Sequence, residues 1–180
     1  QEEVERRCGI CLSDPLIYEA FTYYDHEVLP YKNDDMINAK AMPGAHAALQ
    51  AVQDAGLRCA LFTNPSFPQG AIECRMGWGE LTDAPFELVT HMGNATRCKP
   101  DVTYYLEQLQ VMGLEPHEVL MVGNDPKRDF PSPACGIQTA YVGQGKPGRA
   151  TWRGTMEDFA RDFNAVVEAF YEHQIADELS

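Results

Sequence analysis

No stretch of this 180-residue chain approaches the ~20 consecutive apolar residues that cross a bilayer, and no charged-then-apolar leader opens it. That reading excludes a helical membrane protein. Basic residues are scarce: 14 Lys and Arg stand against 27 Asp and Glu, for a net charge of −13. Nucleic acids and anionic lipids bind through clustered cations, so neither is expected as a partner. If the ligand is itself an anion, a local group must reverse the sign of the field. Cysteine is too sparse and too scattered for a disulfide framework, and Cys59 and Cys98 lie in or beside apolar runs. This fits reduced thiols and a cytoplasmic location. The Cys8-Gly9-Ile10-Cys11 pair has no second pair at zinc spacing, so a zinc site is not expected. Internal repeats and low-complexity tracts are absent. So are a Gly-x-Gly-x-x-Gly turn after a strand and a Gly-x-x-x-x-Gly-Lys-Ser/Thr loop, which argues against the common nucleotide-binding folds.

What remains is an ordinary globular composition: 44% apolar, 23% charged and 10% aromatic. A single domain of this length hides roughly 70% of its extended surface. From Pro43 onward, short apolar runs alternate with helical patterns. Ala45, Ala48, Leu49 and Val52 follow helical spacing, and residues 57–62 read as a strand stopping at Thr63-Asn64-Pro65. A weak helix over 72–78, interrupted by Gly70 and Gly77, precedes a strand at 86–90. Val102, Tyr105, Leu106 and Leu109 mark a stronger helix that Gly113 ends. Residues 119–122 form a third strand and 138–142 a fourth. Met156, Phe159, Phe163, Val166, Val167 and Phe170 line one closing helix whose other face is charged. Continuous apolar strands alternating with helices predict an α/β fold, a Rossmann-like doubly wound parallel sheet covered on both faces. Residues 1–40 are helical-looking, aromatic and acidic, and differ from the α/β region over 41–180.

Open parallel sheets bind ligands beyond the carboxyl ends of their strands. Those ends carry Thr63 and Asn64, then Thr90 and His91, then Asn124 and Asp125, with Asp129 four residues on. Lys99-Pro100 lies between the second and third strands. Pro100 suits the first turn of the following helix and holds Lys99 at that helix N-terminus. A hydroxyl and backbone N–H at Thr63-Asn64, one ammonium at Lys99, and oxygens at Asn124, Asp125 and Asp129 make a set for binding phosphate. Mg²⁺, which takes a few protein oxygens plus water and phosphate, suits this set better than a Cys or His site would suit another metal. His91 is read as a hydrogen-bonded strand-end histidine. Phe21, Tyr23 and Tyr24 are read as packing residues.

Leu61-Phe62-Thr63-Asn64, Lys99-Pro100, and Val122-Gly123-Asn124-Asp125 with Asp129 resemble the second, third and fourth motifs of the haloacid-dehalogenase superfamily, in the right order and at phosphatase-like spacing. Thr63-Asn64-Pro65 through Phe67-Pro68, with Arg75 and Trp78, resembles one bacterial branch of it. The resemblance covers roughly residues 43–142. It implies a Mg²⁺-dependent phosphatase acting on a small phosphate ester through an aspartyl-phosphate. Thr63 and Lys99 would be catalytic, Thr63, Asn64 and Lys99 would bind phosphate, and Asp125, Asn124 and Asp129 would hold the metal. It also implies that residues 1–40 are the remnant of a helical cap, and that losing Lys99 lowers turnover by orders of magnitude with the fold intact.

Two departures stand out. The family's first motif, Asp-x-Asp-x-Thr or Val after an apolar strand, is not found: Asp34-Asp35 has the wrong spacing, and Asp14 and Asp25 lack a second Asp two places on. In the family fold that strand lies between those at Leu57 and Val119. A gap or a direct meeting is therefore expected there, and with Gln1 in place of Met a truncated, inactive chain. The alternative is a non-catalytic phosphate-binding or interaction module. In the fourth motif, Asn124 stands where many relatives carry Asp, so Asp125 is the favoured ligand, with Asp129 holding Lys99 or a metal-bound water. Pro131 and Pro133 predict a short or distorted helix after it.

Overall fold

The structure is a computed structural model that describes all residues except 1–5, 8, 10, 12, 34–36, 148 and 179–180, with side chains described through residue 174. The Cys8–Cys11 pair and Asp34-Asp35 thus lie wholly or partly outside the described residues. Helix α1 (Pro15–Tyr23) begins at Asp14, whose carboxylate accepts the Leu16 N–H at 2.9 Å. A π-helical turn (Tyr24–Val28) and a 3₁₀ turn (Leu29–Lys32) continue it. This segment buries none of its side chains, and Phe21, Tyr23 and Tyr24 are exposed rather than packed.

The α/β region runs α2 (Ala45–Asp54), β1 (Cys59–Leu61), α3 (Gln69–Trp78), β2 (Phe86–Val89), α4 (Val102–Met112), β3 (Leu120–Gly123), β4 (Gln138–Val142), β5 (Trp152–Gly154), α5 (Met156–Arg161) and α6 (Phe163–Glu178). Every strand pair is parallel. The predicted elements recur with three corrections. Gly70 and Gly77 lie inside α3 without breaking it, because Ala71 and Ile72 anchor that helix by burial. The closing helix is two, parted at Asp162, which leaves the helical region and forks onto Arg161. Strand β5, only three residues long, carries too little pattern to be foreseen. The distorted segment after β3 is present as a turn and a 3₁₀ helix (Pro133–Cys135).

The sheet is in two pieces. β1 pairs with β2, and β3, β4 and β5 form a separate three-stranded sheet; among the described residues no strand joins β1 to β3. Side-chain alternation along β3 and β4 divides the core. Met121 and Tyr141 point into one cluster with Tyr104, Tyr105, Leu109 and Phe130, while Leu120, Val122, Ala140 and Val142 pack on the other face against Ala48, Phe159, Phe163 and Val166. The second cluster brings α2 against α5 at Gly44. That residue has φ +85°, and a Cβ there would meet the Glu157 backbone at 2.6 Å, so only glycine fits. Across the break, Phe62 runs from the end of β1 into the first cluster, meeting Tyr104 edge-on at 5.8 Å between ring centroids.

Candidate functional site

The strand ends that carry the predicted residues converge, and they do so through buried side chains of α4. Thr90, just past β2, is fully buried. Its hydroxyl accepts the Thr63 N–H at 2.7 Å and lies 2.9 Å from the Tyr104 hydroxyl, which is 2.7 Å from the Thr63 carbonyl. This closed set pins the first residues beyond β1. In the same arrangement the Thr63 hydroxyl donates to the Thr90 carbonyl at 2.6 Å. It faces β2 here, and a χ1 rotation would be needed to turn that proton toward a ligand.

Asn64 reaches the third predicted segment. Its side-chain carbonyl accepts the Lys99 N–H at 2.9 Å, so the loop before α4 is tied to the end of β1. The Lys99–Pro100 peptide is cis. Pro100 lies outside α4: Asp101 is the N-cap, its carboxylate accepting the Thr103 N–H at 2.9 Å. This corrects the expectation that Pro100 occupies the first turn, since a capping aspartate defines the start of the helix. The Lys99 side chain crosses to the other sheet and meets Asp129 at 2.7 Å, with only 10% and 14% of the two side chains exposed.

Both Asp129 oxygens are used. One takes the Lys99 ammonium, and the other accepts the backbone N–H groups of Asn124 and Asp125 at 3.2 and 2.9 Å. The Tyr105 hydroxyl donates to the Asp129 carbonyl. Gly123 permits this approach, because a Cβ there would stand 2.6 Å from the Asp129 Cβ. Asp125 is half-exposed, accepting the Lys127 N–H at 3.1 Å and lying 3.5 Å from Arg128. Asn124 is exposed beside it. Among the described residues no three His, Cys, Asp or Glu side chains cluster as a metal cage. The oxygens left at the end of β3 are those of Asp125 and Asn124, a small donor set that fits a cation completing its shell with water and phosphate.

Thr63, Asn64, Lys99, Asp129 and the Asn124-Asp125 turn are therefore brought together, while His91 closes only its own turn by accepting the Gly93 N–H at 3.1 Å. Sequence reading missed Tyr104 and Tyr105. Their signal was two adjacent tyrosines at buried positions of a helix, where a phenol needs a partner. Burial pushes both phenols above their ordinary range, with the Thr90 hydrogen bond opposing it for Tyr104.

The chain is 30% identical over 115 residues to a phosphoglycolate phosphatase of Rhodospirillum rubrum, an alignment covering 64% of this chain and 46% of that protein. It thus spans about half the length of that curated relative. A β-phosphoglucomutase of Clostridium difficile has a similar fold (TM-score 0.62, 15% identity, 89% of this chain and 67% of that one). So does a haloacid-dehalogenase family hydrolase of Deinococcus radiodurans solved with bound phosphate and sodium (TM-score 0.58, 20% identity, 87% and 77%). The haloacid dehalogenase-like hydrolase profile matches residues 14–135, from α1 through the Lys99–Asp129 pair, and the chain belongs to that family of hydrolases.

Proposed function

We propose that the junction of β1, the loop before α4 and the end of β3 is the phosphoryl-binding half of a Mg²⁺-dependent phosphatase site for small phosphate esters. The observation that carries this reading is the buried Lys99–Asp129 pair, which holds an ammonium at the strand ends of a chain with net charge −13. Lys99 supplies the positive field a phosphoryl group requires, and Asp129 sets its position. Asn64 offers its backbone N–H while its side chain fixes Lys99, and Thr63 offers its hydroxyl after rotating away from Thr90. Asp125 and Asn124 would hold Mg²⁺, which on binding supplies further neutralisation of phosphoryl charge. Asp129 serves this site through Lys99 and the turn that presents Asp125. Residues 1–40 are the remnant of a cap over it.

An attacking carboxylate belongs to the reading, and among the described residues the carboxylate beside Lys99 is that of Asp129, both of whose oxygens are already engaged. Among the described residues the facing edges of β1 and β3 are unpaired, which supports the arrival of the attacking group on a further strand between them. We therefore expect the 180 residues alone to bind phosphate without turning over an ester. The similarity to a phosphoglycolate phosphatase makes phosphoglycolate the first ester to try with an extended chain.

The test is thermal melting with inorganic phosphate, with and without Mg²⁺, beside an aryl-phosphate assay. A rise in Tm with phosphate that Mg²⁺ enlarges, together with no turnover, is the expected result. Absence of any phosphate effect would remove the phosphoryl site. Turnover dependent on Thr63 and Lys99 would show that an attacking group lies within these 180 residues.

A further inference from the structure

Beside Thr63 and Asn64 opens a cavity of about 570 Å³ between the segment before α2, the end of β1 and helix α3. Its floor is apolar, from residues such as Leu61 and Ile72, and its polar points are few, the usual make-up of a small-molecule site. Its charge is unusual for this molecule. Among the described residues, sixteen line it, and they include Lys40 and Arg75 but no Asp or Glu, in a chain with 27 acidic side chains. Neither cation has a carboxylate partner among the described residues. The Arg75 guanidinium lies over the Phe67 ring, 5.3 Å from its centroid, which steadies it without neutralising it. Trp78 stands three residues on along α3, on the same helix face, and adds its ring to the apolar wall, its indole N–H being shielded from the cavity.

Two cations without a carboxylate partner among the described residues, beside a cavity that shares Thr63 and Asn64 with the phosphoryl site, call for an anion at the far end of the same ligand. We propose that this cavity is a subsite for a second anionic group of the substrate, bound by Arg75 and Lys40. The substrate class is then a small phosphate ester that carries a carboxylate or a further phosphate, and not a neutral sugar or alcohol phosphate. The inference rests on the phosphoryl-site reading above and adds to it the charge of the substrate's other end.

A matched pair of probes tests it on the 180-residue chain: 3-phosphoglycerate and glycerol 3-phosphate, which differ in carrying a carboxylate or a hydroxymethyl group, titrated calorimetrically with Mg²⁺ present. The expected result is binding of 3-phosphoglycerate tighter by about tenfold or more, as charge-assisted hydrogen bonds require. In Arg75→Gln and Lys40→Gln the preference should shrink to about threefold or less while glycerol 3-phosphate binds as before. Melting curves keep folding separate from binding, and Lys40→Gln, on an exposed segment, supplies the comparison if Arg75→Gln is unstable. Equal affinity for the two esters in the unsubstituted chain overturns the second-anion subsite and leaves the phosphoryl site standing. Binding of neither ester overturns both.

Discussion

Lys99 shows how one residue can be set by structure rather than by its own chemistry. A lone lysine before a proline reads as a solvated side chain, and the family resemblance adds a role in turnover that could be deleted without harm to the fold. Its burial against Asp129 changes that expectation. Removing one member of a buried ion pair leaves the other charge uncompensated, at a cost of about 3 kcal/mol. Lys99→Met keeps the aliphatic stem and should lower the urea midpoint accordingly, with loss of phosphate binding. An unchanged midpoint would place the pair in solvent. Asn64 was legible as a strand-end amide. That its oxygen would be spent on the Lys99 backbone depended on a loop arriving from 35 residues away, which no local pattern encodes.

At the scale of the element, α4 does the positioning. Its helical spacing is plain in the sequence, and its capping aspartate and terminal Gly113, at φ +65°, are local signals. Its use is not local: Tyr104 reaches the end of β1 and Tyr105 the turn after β3, so one helix sets both halves of the site. Tyr104→Phe removes a hydroxyl that is buried against the Thr63 carbonyl and Thr90. It should cost about 1–2 kcal/mol and weaken phosphate binding, measured by denaturation and calorimetry on the same protein. Full phosphate affinity in that variant would mean that Thr63 is held by β2 alone. The cap of the short helix α5 is by contrast built locally. Thr155 and Asp158 form a capping box, and the Thr155 backbone and hydroxyl, with Arg161, hold the Asp158 carboxyl down to about 2. What that cap contributes is therefore present above the ordinary carboxylate range and fades only as pH falls toward 2.

For the whole molecule, the two buried tyrosines govern the alkaline limit. Their folded-state pKa values lie above that of an unfolded tyrosine near 10, so above that pH the unfolded chain releases protons the folded chain retains. Stability is unaffected below that point and falls above it, by up to about 1.4 kcal/mol per pH unit for each tyrosine. A tyrosinate absorbance component that appears only together with loss of ellipticity is the expected observation; full ionisation with the fold intact would show that the phenols reach solvent. The sequence by itself determined the order of elements from α2 through β4, the parallel arrangement, the break expected between β1 and β3, and the family. Each of these follows from periodicity, capping and strand-end residues close together along the chain. Only the tertiary structure decided that the two pieces of the sheet are joined by Phe62, the tyrosines of α4 and the Lys99–Asp129 pair, and that two cations border one cavity. Those relations join residues 14 or more positions apart, and are set by how the faces pack rather than by any local pattern.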